Sequence, residues 1–210
     1  MRNAIYISGK GTRLKNLFEI NSPIFKEIVL IISDSNESIY LKDFASNYEI
    51  EFISFVSIQE TGVALEFSNF MLNKFQEKKI DYCYCFGMKI LKGELIEEYQ
   101  NRIINFHPSI LPMFPGLKSI DQALQASNTI LLGNTAHFIN KGVDSGPIIL
   151  QSIVPKSYFY EKGYEGILNL QKEMLEFIHS SLLIGAIIFK DKTVYISNSS
   201  SNTSLFFNKL

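Results

Sequence analysis

Four short apolar runs pace the first half of this chain: "AIYIS" (4–8), "EIVLIIS" (27–33), "EIEFISF" (49–55) and "DYCYCFG" (81–87). Between them lie "LKNLFEI", "IYLKDFASNY" and "ALEFSNFMLNKFQEK" (64–78), where apolar residues return every three or four positions, the spacing of an amphipathic helix. Strand alternating with helix is the order a parallel sheet imposes, because parallel neighbours must be joined by a crossover. The pattern predicts an α/β fold: a Rossmann-like, mostly parallel twisted sheet with helices on both faces. A hydrophobic content of 46% supplies the core such a layer needs, and 210 residues suit one domain.

The second half continues in kind. "LKGELIEEY" predicts a helix, "RIINF" (102–106) a strand, "IDQALQAS" a helix, and "LLGNTAHFI" and "GPIILQSIVP" two further strands. "LNLQKEMLEFIHSSLLIGAIIF" (168–189) predicts one long helix, and "VYISN" (194–198) a last strand. We expect one domain over residues 1–195 and a polar tail over 196–210, whose late aromatic pair either folds back or stays loose.

Charge and cysteine usage exclude several classes. Lys and Arg number 20 against 21 Asp and Glu, a net charge of −1, so nothing global draws the chain to nucleic acid or to an anionic membrane. The N-terminus carries Gly-Lys-Gly where a signal peptide needs apolar residues, and no run reaches the ~20 apolar residues of a membrane span. These features predict a soluble cytoplasmic protein. Cys83 and Cys85 share one face of a strand and lack C-x-x-C spacing, so they are expected to be reduced core thiols. With three scattered histidines they fit no metal-ligand spacing, and no metal is expected.

Three segments carry candidate chemistry. "SGKGT" (8–12) follows a strand and precedes a helix; its glycines expose backbone N–H groups, and Gly11, Thr12 and Arg13 become candidates to hold a phosphate. It matches neither G-x-x-x-x-G-K-[ST] nor G-x-G-x-x-G, and a plain strand-to-helix turn remains open. "INFHPSILPMFPG" (104–116) ends a strand with Asn105 and His107, which alternation points the same way, and three prolines and Gly116 then restrict the loop. A structural histidine accounts for His107 about as well as a catalytic one. "AHFINKGVDSGPII" (136–149) places His137 in a strand and Asp144 in a Gly-rich turn, where a solvated turn aspartate is the plainer account. Together, Asn, His and Asp at strand ends and turns form a set that can stabilise an oxyanion, move a proton and orient an imidazole.

The second and third segments resemble the Asn-x-His-Pro-Ser-Leu-Leu-Pro and His-Phe…Asp-x-Gly-Pro segments of the folate-dependent formyltransferases, and "SGKGTRLKNL" resembles the phosphate loop of the phosphoribosylglycinamide branch. The likeness runs over roughly residues 4–195, which would form the formyltransferase catalytic domain. It implies transfer of a formyl group from 10-formyltetrahydrofolate to a primary amine, that of glycinamide ribonucleotide, in purine biosynthesis. Asn105 and His107 would flank the formyl carbon and stabilise the tetrahedral intermediate, Asp144 would assist proton transfer, and His137 would support and orient. An anion beside His107 would keep it a hydrogen-bond donor near neutral pH. "FGMKILKGELI" (86–96) resembles the segment lining the pteridine pocket: backbone contacts from Met88, Lys89, Ile90 and Leu91, an apolar wall from Leu95 and Ile96, with Phe106 and Val143 closing it or packing in the core. Glu173 matches a substrate-binding glutamate, while His179 matches no motif and is expected to be structural.

Departures from the family pattern bear on the acceptor. "ISFVSIQETGVALEF" holds no Arg or Lys where an Arg would help grip phosphate, and Met174 stands where a His is expected. An amino sugar or another metabolite amine is therefore an alternative acceptor, and folate binding without catalysis an alternative of another class. The family's hydrolases carry a regulatory domain ahead of the same unit and its tRNA formyltransferases an RNA-binding domain behind it, so neither is expected here. Partners are small-molecule substrates, and a hydrophobic strand edge would support a homodimer.

Overall fold

Strand β1 (Asn3–Ile7) pairs in parallel with β2 (Ile28–Ser33) on one side and β4 (Tyr82–Phe86) on the other, and β3 (Glu51–Ser54) adds in parallel beyond β2. The computed structural model describes residues 1–56, 63–191 and 193–197, and the backbone of 205–207. Ala4, Ile5, Tyr6, Leu30, Ile31 and Ile32 have no solvent exposure, which explains runs that are apolar without alternation. Each Ile or Leu side chain among them contributes roughly 1.5–3 kcal/mol on burial.

Helices α1 (Thr12–Glu19), α2 (Leu41–Ser46), α3 (Val63–Lys78) and α4 (Glu94–Glu98) follow the four strands in turn. The turn into α1 needs glycine at Gly11: its φ is +64°, and a Cβ there would lie 2.7 Å from the Leu41 side chain. Helix α3 buries Phe67, Met71 and Phe75, four residues apart, as its periodicity predicts. Cys83 and Cys85 are free and buried, as expected.

The chain forms two compact units, Met1–Ile104 and Asn105–Leu210. Strand β5 (Ile103–His107) runs across that boundary, and with β6 (Leu131–Phe138), β7 (Ile148–Pro155) and β10 (Leu205–Phe207) it lies in the order β10-β7-β6-β5. Strands β6 and β7 are antiparallel, whereas β10 joins β7 in parallel, so the backbone of the tail does fold back. Helix α5 (Ser119–Gln125) precedes β6, and α6 (Lys156–Leu183) follows β7. The expected fold class holds: α/β, with mostly parallel pairing.

The largest correction concerns the long helix. It starts at Lys156, is kinked at Gly163, and stops at Leu183, with Gly185 in the left-handed region at φ +67°. Ile187, Ile188 and Phe189, expected to be helical, instead form β8 (Ile187–Lys190), a hairpin partner of β9 (Thr193–Ile196). An uninterrupted apolar run has no period to separate helix from strand, and the β-branched pair with the glycine ahead of it decides for strand. Residues 57–62 of the stretch without Arg or Lys, and most of the expected tail, lie outside the described residues. Among the described residues no helix is long and apolar enough to cross a membrane.

Candidate active site

The end of β5 projects Asn105 and His107 to one side, two residues apart on an extended strand. The turn between β6 and β7 holds Asp144 at φ +46°, a left-handed conformation that aspartate tolerates better than most side chains. Its carboxylate lies among several polar groups. His107 Nδ1 lies 3.3 Å from Oδ2 and His137 Nε2 lies 3.6 Å from Oδ1, the latter longer than a hydrogen bond. The backbone N–H of Gly116 donates to Oδ2 at 2.7 Å, and Asn105 Nδ2 reaches Oδ1 at 3.5 Å. Burial alone would raise the Asp144 pKa; His137, the Gly116 N–H and the charge of His107 outweigh it and hold the carboxyl below its usual value.

The proton positions follow from what carbonyls can do. A carbonyl only accepts, so His137 Nδ1–H donates to Phe138 O at 3.0 Å. Its Nε2 is then free to accept from Asn105 Nδ2 at 3.1 Å. His107 Nε2 likewise donates to Phe114 O at 3.0 Å while Nδ1 faces Asp144. Both nitrogens of His107 thus face oxygen atoms. His107 and His137 are both buried, whereas Asn105 is half-buried.

The loop after His107 is pinned by side chains that sequence reasoning did not single out. Thr135 Oγ1 donates to Ser109 O and accepts from Leu111 N–H, and Gln151 Nε2 donates to both Leu111 O and Thr135 Oγ1, all at 2.7–2.9 Å. Ser109 Oγ donates to Met113 O at 2.7 Å. From α6, buried Gln171 donates to Phe106 O at 3.2 Å and to Asn134 Oδ1 at 2.8 Å, holding β5 between Asn105 and His107. Only the amide and hydroxyl types of these residues were visible in sequence. Thr135, Gln151 and Gln171 reach backbone atoms 24 to 65 residues away along the chain.

The other predicted residues are distributed as follows. Thr12 is exposed and Gly11 half-buried at the start of α1. Arg13 turns inward, donating from Nη2 to Phe86 O at 3.2 Å with its guanidinium 5.0 Å from the Phe86 ring centre. Burial brings its pKa down to about 10, which leaves it charged at neutral pH. Met88 and Ile90 are exposed, at 72% and 56%, while Leu91, Leu95 and Ile96 are buried. The N–H groups of Met88 and Lys89 are taken by Ser8 Oγ at 2.8 Å and the Tyr6 hydroxyl at 3.2 Å, so these two offer no N–H to a ligand. Val143 is exposed beside Asp144 in sequence, Phe106 is buried, and Glu173 is exposed on α6. His179 is buried in α6.

The formyl transferase family model matches residues 1–160. A trifunctional purine biosynthetic protein adenosine-3 of Drosophila pseudoobscura pseudoobscura is 34% identical over 163 residues, which cover 73% of this chain and 11% of that protein. A formyltetrahydrofolate deformylase of Haemophilus influenzae is 31% identical over 81% of this chain and 60% of its own length. A phosphoribosylglycinamide formyltransferase of the same organism is 31% identical over 72% of each. The chain thus spans only part of these relatives. In three dimensions, a phosphoribosylglycinamide formyltransferase of Anaplasma phagocytophilum superposes with a TM-score of 0.82 at 26% identity, over 100% of this chain and 99% of that one.

Proposed function

The chain belongs to the formyl transferase family, and from that premise we propose that it transfers the formyl group of 10-formyltetrahydrofolate to the primary amine of glycinamide ribonucleotide, a step of purine biosynthesis. The observation that carries this reading is the gathering of Asn105, His107 and His137 around the Asp144 carboxylate, at 3.3–3.6 Å. The amine nitrogen attacks the formyl carbon, and the carbonyl oxygen becomes an oxyanion. The intermediate collapses by breaking the bond from that carbon to the folate nitrogen, which takes up the proton the amine loses. Oriented donors aimed at the developing charge are the main source of acceleration in such a step.

In this reading His107 Nε2–H is the principal donor, with the formyl oxygen taking the place that Phe114 O holds. Asn105 donates the second hydrogen bond by giving up its 3.5 Å contact with Asp144, the weaker of its two. Asp144 orients His107 and assists the proton's passage, while His137 holds the Asn105 amide. In the N-terminal unit, Gly11, Thr12 and Arg13 are assigned to the acceptor's phosphate and Met88, Lys89, Ile90, Leu91, Leu95 and Ile96 to the folate; in the C-terminal unit, Glu173 is assigned to the acceptor and Val143 to the folate.

A second reading, supported by the likeness to a formyltetrahydrofolate deformylase, lets water replace the amine. One assay separates the two. Purified protein is given 10-formyltetrahydrofolate with and without glycinamide ribonucleotide, and both formylated product and formate are followed. Acceptor-dependent product abolished by His107→Ala supports transfer; formate at the same rate without acceptor supports hydrolysis. Folate binding with neither product would redirect the search to amino sugars and other amines.

A further inference from the structure

A second carboxylate, in the N-terminal unit, gathers a network that the proposed reaction does not use. Asp34 stands just past β2 with its side chain only 8% exposed. Its Oδ2 accepts from the Tyr6 hydroxyl at 2.7 Å and from Ser8 Oγ at 2.8 Å. A carboxylate cannot donate, so both hydroxyl protons point at Asp34 and both hydroxyl oxygens are left with lone pairs facing elsewhere. Those lone pairs accept the consecutive N–H groups of Met88 and Lys89. Lys89 Nζ returns to within 4.0 Å of Asp34 Oδ2 and lies 5.8 Å from the Phe67 ring centre.

An independent contact fixes the same loop. A Cβ on Gly87 would lie 1.9 Å from Tyr6 Cε1, so the backbone at Gly87 rests directly on the tyrosine ring. The entry to the 88–91 segment is therefore moulded on Tyr6 by shape and locked to Tyr6 and Ser8 by hydrogen bonds whose direction Asp34 sets. Burial first, then the Cys85 and Asp34 charges, pushes the Tyr6 phenol far above its usual pKa, so it remains a donor throughout the working range.

We propose that Asp34 is a positioning residue for the folate loop: by ordering the Tyr6 and Ser8 hydroxyls it fixes the backbone of Met88 and Lys89, and it thereby sets folate affinity without touching the reacting atoms. This rests on the assignment of the 88–96 segment to folate in the proposed function. With two N–H groups committed internally, that segment meets the co-substrate through its carbonyls and the exposed Met88 and Ile90 side chains.

The test pairs two readouts on Asp34→Ala and Asp34→Asn. Amide hydrogen exchange at Met88 and Lys89 reads the network with no ligand present; titration with a stable 5-formyl folate, alongside steady-state kinetics, reads its consequence. In Asp34→Ala both amides should lose protection, the folate dissociation constant should rise about tenfold, and kcat and the acceptor KM should stay within about threefold. Asp34→Asn keeps an acceptor oxygen and should restore most of the affinity. Retained protection overturns the proposal. So does lost protection with unchanged folate affinity, or an effect confined to the acceptor KM, which would tie Asp34 to the glycine loop instead. Wild-type protein with protected amides and no folate affinity would overturn the proposed function and leave the network as a structural device. Should Asp34→Ala fail to fold, Ser8→Ala removes one arm, with a loss of protection expected at Met88 and a smaller rise in the folate dissociation constant.

Discussion

Asp144 and Asp34 use one device for two ends. Each is a poorly exposed carboxylate beside a β-strand end, and each collects donors from segments far apart in the chain. The difference lies in the donors. Asp144 faces two imidazoles, the side-chain type that exchanges protons in the range where enzymes work, together with the Asn105 amide and one backbone N–H. Asp34 takes a phenol and an alcohol, which hold their protons there, with an ammonium at the margin. A carboxylate surrounded by titratable groups can drive chemistry, whereas one surrounded by fixed donors can only hold geometry.

The comparison breaks most readily on turnover. His107→Ala and Asp144→Asn should each lower kcat by ~10²–10⁴, the range for loss of a positioned acid–base group, while folate affinity stays within about threefold by equilibrium titration. An equal loss at Asp34→Asn would erase the distinction. Next in size is a steric test of the holding network. Gly87→Ala places its Cβ 1.9 Å from the fully buried Tyr6 ring and should cost about 1–3 kcal/mol by denaturant melts. Wild-type stability there would mean the loop moves freely away from Tyr6.

A third test is electrostatic. The Asp144 carboxyl sits below its ordinary value, so its ionised form stabilises the fold in full above that value, and the contribution is lost as pH falls through the lower folded value. Asp144→Asn should therefore flatten the acid limb of stability below about pH 4, measured as the denaturant midpoint against pH. Parallel acid limbs for variant and wild type would show that the carboxyl is not held down by its neighbours. The smallest effect is expected at Arg13. Part of its hydrogen-bonding capacity is committed to Phe86 O, and Arg13→Ala should raise the acceptor KM about tenfold with little change in kcat. An unchanged KM would leave Arg13 as a strut between α1 and β4.

Much of the arrangement was legible beforehand. Strands β1, β2 and β4 read as apolar runs because burial on both faces leaves no alternation to disguise them. Asn105 and His107 were paired correctly because a period of two is a property of the extended chain itself. The 187–189 segment was misread because a run of apolar residues carries no period, and the strand forms only with its hairpin partner β9. Asp34 went unnoticed because an aspartate after a strand is ordinary in a loop; its importance lies in Tyr6, Ser8, Met88 and Lys89, which meet it only after folding.

By itself, then, the sequence determined the order of strands and helices as far as α6, the glycine turn at Gly11, and which side chains could share a face, since all of these follow from backbone geometry over a few residues. The tertiary structure alone decided that Asp144 meets His107 and His137, that Gln171 secures β5 through Phe106 O, and that Asp34 orders the entry to the 88–91 segment. Each of these depends on a directional bond between residues brought together by packing, and local periodicity carries no information about such partners.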